Sequence, residues 1–526
     1  MPQAASNDYD RVAYPTMAHP QTFAECLSIK GFLRGLDVAR PDRCRVLELG
    51  CGDGFNLAAM ASIYPESSYT GIDYSAEAIE RGRSFVTALG LKQIRLETAD
   101  IRSLDQLKPE LGQFDYIMAH GVYSWVPMDV RNALLAAIGR MLAPQGVAFV
   151  SYLALPGAHM RELVRTIIRF HTQATPNPML QVEQSRSLLK LISTGSTLPN
   201  HYTQWITDEL VLIENHAGEA LFHDELSSIS APLLFTEFVA HAGTHALQFL
   251  SEAESLLPIS RALTDEAREQ LRPLEQNRVL LEQYLDFMEG RRFRQTLLCR
   301  PGLGEKLEQD RLDQLWVSCR ATPGNGPVAL ADPTPIGFFG HRKAELRAST
   351  PATKAALLEL TSHPGEAMSF PVLLTATRDR LLREGLTPDP DFESALRFYL
   401  CRASLPGLIE FTWAQLPWTT TVADRPFAHP LARWLVGQGA PTVLSYTGRF
   451  VEVNGALGRH LLSLLDGTRD HFALATEMSA FLAEKHREAQ AREQPADLPA
   501  PDDPALAIQL QRSLSGLANL GLLRRE

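Results

Sequence analysis

In the first third of the chain, short apolar runs alternate with stretches whose apolar residues recur at helical spacing. The runs at 45–49, 68–73, 94–99, 114–121 and 147–153 predict five strands, and 55–64, 76–89 and 130–142 predict helices between them. Pro144-Gln-Gly146 is the stop signal expected after the last of these helices. Repeated βα units of this length predict an α/β fold, a parallel sheet with helices on both faces and a ligand at the carboxyl ends of its strands. From Met160 the strand signal fades. Helical spacing at 160–171, 180–192, 202–216, 235–252, 275–290 and around Gln314 predicts a mainly helical second domain. Pro323-Gly-Asn-Gly-Pro327 reads as a linker. Beyond it, helices mix with short β segments at 407–412 and 450–453, then a Glu/Ala/Gln/Pro-rich connector at 483–504 and an amphipathic helix at 505–523. The predicted domains are 1–159, 160–325 and 326–526.

The strand at 45–49 runs into a glycine-rich turn, and the spacing of that turn narrows the ligand. Gly50, Gly52 and Gly54 lack a Cβ, so the backbone can turn tightly and lie flat against a nucleotide-like group. A dinucleotide site would need its third glycine at position 55, which is Phe55. The pattern is instead E-x-G-x-G-x-G, built from Glu48, Gly50, Gly52 and Gly54, with Cys51 as a small filler inside the turn. It resembles motif I of the class I S-adenosylmethionine (SAM) methyltransferases, which have a Rossmann-like sheet and a cofactor without phosphate. Asp73 closes the second strand 19 residues after Gly54, with Tyr74 beside it. An ionised carboxylate there can accept both ribose hydroxyls. Asp100-Ile101 after the third strand resembles the acid-plus-apolar pair that meets the adenine, and His120 follows the fourth strand.

A second resemblance spans most of the chain. Tyr14-Pro-Thr-Met-Ala-His-Pro20, His120-Gly-Val-Tyr-Ser-Trp-Val-Pro127, Leu221-Phe-His-Asp-Glu225 and the segments 235–242 and 283–299 are similar to bacterial methyltransferases carrying a methyltransferase regulatory domain. Leu464-Leu-Asp-Gly-Thr-Arg-Asp470 resembles the α+β winged-helix-like C-terminal domain of that group. The resemblance implies a protein-lysine N-methyltransferase, since relatives with a defined role act on bacterial outer-membrane proteins. One motif departs: where the group shows S-Y-N-T-x-P-G-W, Leu153 and Ala158 replace the Asn and the Trp.

Composition sets the outer limits. A chain of 526 residues suits about three domains. A net charge of −11 opposes a large nucleic-acid footprint and suits a lysine-rich polypeptide partner. No apolar run approaches the roughly 18 residues of a membrane span, and 1–8 show no secretory pattern. Six dispersed cysteines without C-x-x-C give neither a zinc site nor a disulfide framework, which suits the cytoplasm. Nothing in the pattern fixes an oligomeric state.

Methyl transfer from a sulfonium is an in-line displacement helped mainly by orientation and by a dry site. A lysine acceptor must first lose its proton, against a free pKa of about 10.4. Tyr14, His19, His120, Tyr123, Trp125 and Tyr152 are candidates to line an apolar, aromatic acceptor channel. Tyr123 and Trp125 could instead pack the loop after the fourth strand. His241 and His245 have ligand spacing but lack the glutamate of H-E-x-x-H, so no metal is expected. Arg291, Arg292 and Arg294 are expected to pair with nearby acids. Two alternatives stay open, a small-metabolite methyltransferase and a non-catalytic SAM-binding assembly protein.

Overall fold

The computed structural model describes residues 11–104, 111–195, 200–257, 263–324, 326, 328–340, 345–362, 365–404, 408–491, 500 and 506–525. After helix α1 (Ala24–Leu33), strands β1 (Arg45–Leu49), β2 (Ser68–Asp73), β3 (Ile94–Thr98), β4 (Phe114–Ala119) and β5 (Leu142–Leu153) alternate with helices α2 (Phe55–Ile63), α3 (Ala76–Ala88) and α4 (Met128–Met141). The five strands are parallel. Val46, Leu47 and Leu49 are fully buried because helices cover both faces, which is why β1 reads as an unbroken apolar run.

The second third is mainly helical, as expected, with two strands set among its helices. Helices α5 (Ala158–Thr172), α6 (Pro178–Thr194), α7 (His201–Glu214) and α8 (Gly218–Glu225) form one small core around Ile168, Leu189 and Leu221. The segment expected as one helix over 235–252 is instead α9 (Phe235–Gly243) and then β6 (Gln248–Glu252). Ala246 turns the chain between them with φ +53°. After α10 (Asp265–Leu271) and α11 (Arg278–Glu289), β7 (Phe293–Cys299) pairs antiparallel with both β5 and β6. The sheet order is β3-β2-β1-β4-β5-β7-β6. A short apolar run suits a buried helix or a buried strand equally well, so spacing alone could not separate them.

Arginines 291, 292 and 294 pair with acids, as expected. Arg294 is buried, bonding Asp286, Glu252 and Glu282 at 2.8–2.9 Å, with its guanidinium 3.9 Å from the Phe235 ring centre. Arg291 meets Asp286 at 3.2 Å and Arg292 meets Glu209 at 2.5 Å.

The sheets also cross both predicted domain boundaries. β6 and β7 complete the first sheet from beyond residue 159. β8 (Trp316–Cys319) lies before 325, yet it pairs with β12 (Met368–Ser369) and β13 (Ile409–Thr412). Pro323 is paired as well: β9 (Thr322–Pro323) joins β10 (Ile336–Phe339), which joins β11 (Glu345–Ala348). The glycine-proline composition at 323–327 therefore marks a connection between paired strands, though Asn325 and Pro327 lie outside the described residues. Helices α12 (Pro351–Ser362), α13 (Phe370–Arg383) and α14 (Phe392–Ala403) share a core with Ile29, Phe32 and Leu33 of α1.

The C-terminal winged-helix domain contains α15 (Pro430–Gly437), the hairpin β14 (Thr442–Leu444) and β15 (Phe450–Glu452), α16 (Gly455–Leu464), α17 (His471–Ala491) and α18 (Leu506–Asn519). Most of the connector expected at 483–504 lies outside the described residues; α17 takes up its start. Leu431, Leu461 and Leu514 join the core formed on the α2–α3 side of the first sheet. His429 anchors this contact: it is fully buried, with Nε2 3.2 Å from Ser62 Oγ of α2. No helix among the described residues is long and apolar enough to cross a membrane.

Burial lowers the His429 pKa from 6.5 to about 3. The unfolded chain takes up a proton that the folded chain refuses, so this residue's contribution to stability is present above 6.5 and is lost as pH falls. Between about pH 7 and about pH 5 the melting temperature of wild type should drop more than that of His429→Gln, which cannot ionise. Equal drops in paired thermal melts would remove His429 as a source of acid sensitivity.

Candidate active site

The order of the sheet reverses between β1 and β4, which opens a crevice at their carboxyl ends. The turn after β1 meets the loop after β4 there: a Cβ at Gly50 would fall 2.4 Å from Val122 Cγ2. At Gly52, with φ +55°, nothing lies within 4 Å of the same position, so the backbone is bare to a ligand. Gly52 N–H donates to Asp73 Oδ2 and Ser75 N–H donates to Asp73 Oδ1, both at 2.8 Å, which holds the carboxylate beside that bare backbone. Cys51 is buried in the turn.

Glu48 lies under the turn and is 3% exposed. Its Oε1 accepts from Asn56 Nδ2 at 2.9 Å, while Oε2 is buried without a partner. Burial pushes its carboxyl up to about 8, with Asn56 opposing the shift. The bare turn, with a buried carboxyl oxygen beneath it that has no partner, leaves room and a polar group for a ligand to answer. At the far side of the crevice, Asp100 is taken by its neighbour Arg102, whose Nη2 lies 2.6 Å from Oδ2; that pairing lowers its pKa. Ile101 is half-buried and Tyr74 is exposed.

The N-terminal arm reaches this crevice. Thr16 Oγ1 donates to Asp53 Oδ2 at 2.7 Å, and His19 N–H donates to Asn56 Oδ1 at 2.8 Å. The His19 ring stands edge-on to His120, with centroids 4.1 Å apart. His120 Nδ1 is 2.9 Å from Ser151 Oγ, which also accepts from Gly121 N–H at 2.9 Å. Burial lowers the His19 pKa to about 4; burial and the neighbouring His19 lower that of His120 to about 3. Both rings are neutral at neutral pH.

Strand parity decides which other candidates share this place. In β5, Val147 and Phe149 face the α2 side, and Ser151 continues that row beneath His120. Tyr152 therefore points the opposite way. It is 1% exposed, stacks on Phe238 with centroids 4.0 Å apart, and lies 2.9 Å from Thr296 Oγ1 through its hydroxyl. Tyr123 is in the same interior, its hydroxyl 2.7 Å from His241 Nδ1. These two tyrosines pack in the core on the other face, apart from the histidine pair. Trp125 is half-buried, with the guanidinium carbons of Arg161 and Arg165 at 5.1 and 5.4 Å from its ring centre. Tyr14 lies 5.7 Å from the His223 ring, so it stands with α8 rather than with the histidine pair. Leu153 and Ala158 are both buried. Among the described residues no cluster could hold a metal ion.

Three sequence profiles match the chain: a methyltransferase domain over 46–146, a predicted methyltransferase regulatory domain over 217–300, and the PKMT C-terminal winged-helix domain over 424–522. An uncharacterized protein of Rickettsia prowazekii is 31% identical over 388 residues, covering 72% of this chain and 69% of that one. A second from the same organism is 35% identical over 237 residues, covering 44% and 93%. The chain belongs to this family of SAM-dependent methyltransferases. The structure of PKMT2 from Rickettsia typhi superposes on 97% of the chain and 99% of its own length, with a TM-score of 0.81 at 24% identity, a likeness of fold.

Asn56, Ser151 and Thr16 were not singled out from the sequence. Asn56 carried a signal: it is a polar residue inside the otherwise apolar run Phe55-Asn-Leu-Ala-Ala-Met. Ser151 could have been found by counting parity back from Tyr152.

In this methyltransferase Asp73→Ala should weaken SAM binding by about 2 kcal/mol, roughly 30-fold, the scale of hydrogen bonds to a charged group. Calorimetry on the folded variant checks it; unchanged affinity would remove Asp73 from the cofactor site. Tyr152→Phe should cost about 1 kcal/mol of stability through its lost hydrogen bond and leave turnover alone. A turnover defect in that variant would return Tyr152 to the site.

Proposed function

We propose that this methyltransferase moves the SAM methyl group to the ε-amine of a lysine on a protein acceptor. The observation that carries the reading is the arm-covered pair of neutral imidazoles, His19 over His120. Bound SAM supplies a methyl group on a cationic sulfonium. The crevice holds rings that add no positive charge, so they would repel neither the sulfonium nor an entering amine. The arm covers this end of the crevice, and a drier site favours the neutral amine over its ammonium form. His120 is held through Nδ1 by Ser151, and a second proton on its ring would make it cationic. With a pKa of about 3 it cannot keep that proton, so the amine gives up its charge to water on entry.

The PKMT winged-helix profile and the PKMT2-like fold support a protein acceptor. A trans-aconitate 2-methyltransferase of Deinococcus radiodurans is 31% identical, yet it matches only 27% of this chain and 51% of its own length. We assign cofactor binding to Glu48, Gly50, Cys51, Gly52, Gly54, Asp73, Tyr74, Asp100 and Ile101, and the acceptor side to His19 and His120 with Tyr14 and Trp125 further out. The cytoplasm suits the six free cysteines.

Two measurements test the proposal. Methyl-labelled SAM with cell extract should place label on lysine Nζ in peptide maps; label confined to small metabolites would overturn it. The rate should climb from about pH 7 to about pH 9 as the acceptor, with a free pKa near 10.4, loses its proton. His120→Ala should lower the rate by about tenfold or more through lost positioning without changing that slope. A profile that breaks near 6.5 in wild type and loses the break in His120→Ala would show a titrating His120 instead.

A further inference from the structure

The β14–β15 hairpin reaches from the C-terminal domain to the cofactor end of the molecule and touches it at two points. Phe450, the first residue of β15, stacks on Phe55 with ring centroids 6.2 Å apart and planes 19° from parallel. Phe55 opens α2 and immediately precedes Asn56. The turn of the same hairpin lies on the arm: a Cβ at Gly448 would come 3.1 Å from Phe23 Cε2 and 3.8 Å from Pro20 Cβ. Pro20 directly follows His19. The two contacts thus fall on residues next in sequence to the two partners of the hydrogen bond from His19 N–H to Asn56 Oδ1.

The hairpin is itself braced. Gly448 N–H donates to the Ser445 carbonyl at 3.0 Å and Ser445 N–H donates to the Arg449 carbonyl at 2.8 Å, closing the turn with Gly448 at φ +72°. Arg449 pairs with Glu410 of β13, and Tyr446 N–H donates to the Gly521 carbonyl at 3.0 Å. The tip therefore cannot yield without breaking bonds to two other parts of the molecule. Packed rings transmit such a constraint because protein interiors have little free volume.

We propose that the β14–β15 hairpin is a positioning element for methyl transfer: Phe450 and the Gly448 turn set the spacing between arm and α2, and so seat His19 on His120. The inference rests on the proposed function only in treating the histidine pair as the acceptor-side wall.

The test compares Phe450→Ala, Phe450→Tyr and Trp434→Ala in the full chain. Trp434 meets Phe85 across the same domain contact, with centroids 5.5 Å apart, but is not stacked on Phe55. In Phe450→Ala the His19 amide should exchange its hydrogen about tenfold faster, in protein without SAM, because its bond to Asn56 opens more often. Methyl transfer should slow by about tenfold, with kcat falling and SAM affinity nearly unchanged. Phe450→Tyr, which keeps the ring, should restore both to within about twofold, and Trp434→Ala should alter neither. Wild-type exchange at His19 in Phe450→Ala would overturn the proposal, as would an equal rise in Trp434→Ala. Should Phe450→Ala fail to fold, Phe450→Leu keeps the apolar volume without the flat stack and decides by the same readouts. The exchange measurement needs no acceptor. If it behaves as expected while wild type labels no lysine, the positioning role stands and the acceptor assignment falls.

Discussion

The carboxamide of Asn56 is where the parts of this enzyme are tied together. It is buried at 4% exposure, donates to Glu48 Oε1 and Thr22 Oγ1 and accepts from His19 N–H. One side chain thus joins the strand that begins the cofactor turn, the helix that follows it and the arm that covers the crevice. A buried amide is costly unless its donors and acceptor are answered, and here each is. The geometry of the histidine pair follows from that satisfaction. Any rearrangement of the arm must leave polar atoms of Asn56 unpaired, which gives the covered state a definite place rather than a range of positions.

A second constraint holds the far half of the sheet. Arg294 rises from β7 into three carboxylates, Asp286 and Glu282 of α11 and Glu252 of β6, and lies over Phe235 of α9. Removing the arginine would cost about 3–5 kcal/mol, because the buried carboxylates would lose their shared partner. The strands that complete the sheet are therefore fixed by ionic geometry as well as by their ladder. This matters at the crevice because Phe293, on the same strand, stands 6.2 Å from His120.

Much of the cofactor half was legible in the sequence. β1 and β2 lie where the apolar runs placed them, and the E-x-G-x-G-x-G spacing points to the cofactor on its own. The acceptor half was harder to read, for two physical reasons. Tyr152 and Ser151 are neighbours in sequence and opposites in space, so an aromatic residue drew attention to the wrong face of its strand. The apolar residues of β6 fit a helix as well as a strand, and only the register with β7 distinguishes them. Pro323 misled in another way: a proline in a glycine-rich stretch reads as a connector, yet here it is paired with Phe338.

The pairing of β7 with β5 bears on how the chain can be divided. A fragment ending near residue 159 would expose β5 along its whole ladder, from Ala148 to Leu153, as an unprotected apolar edge. Such an edge is a template for intermolecular pairing, and the partner strand arrives about 140 residues later in the chain. During synthesis, therefore, the cofactor-binding sheet stays open until β7 has been made.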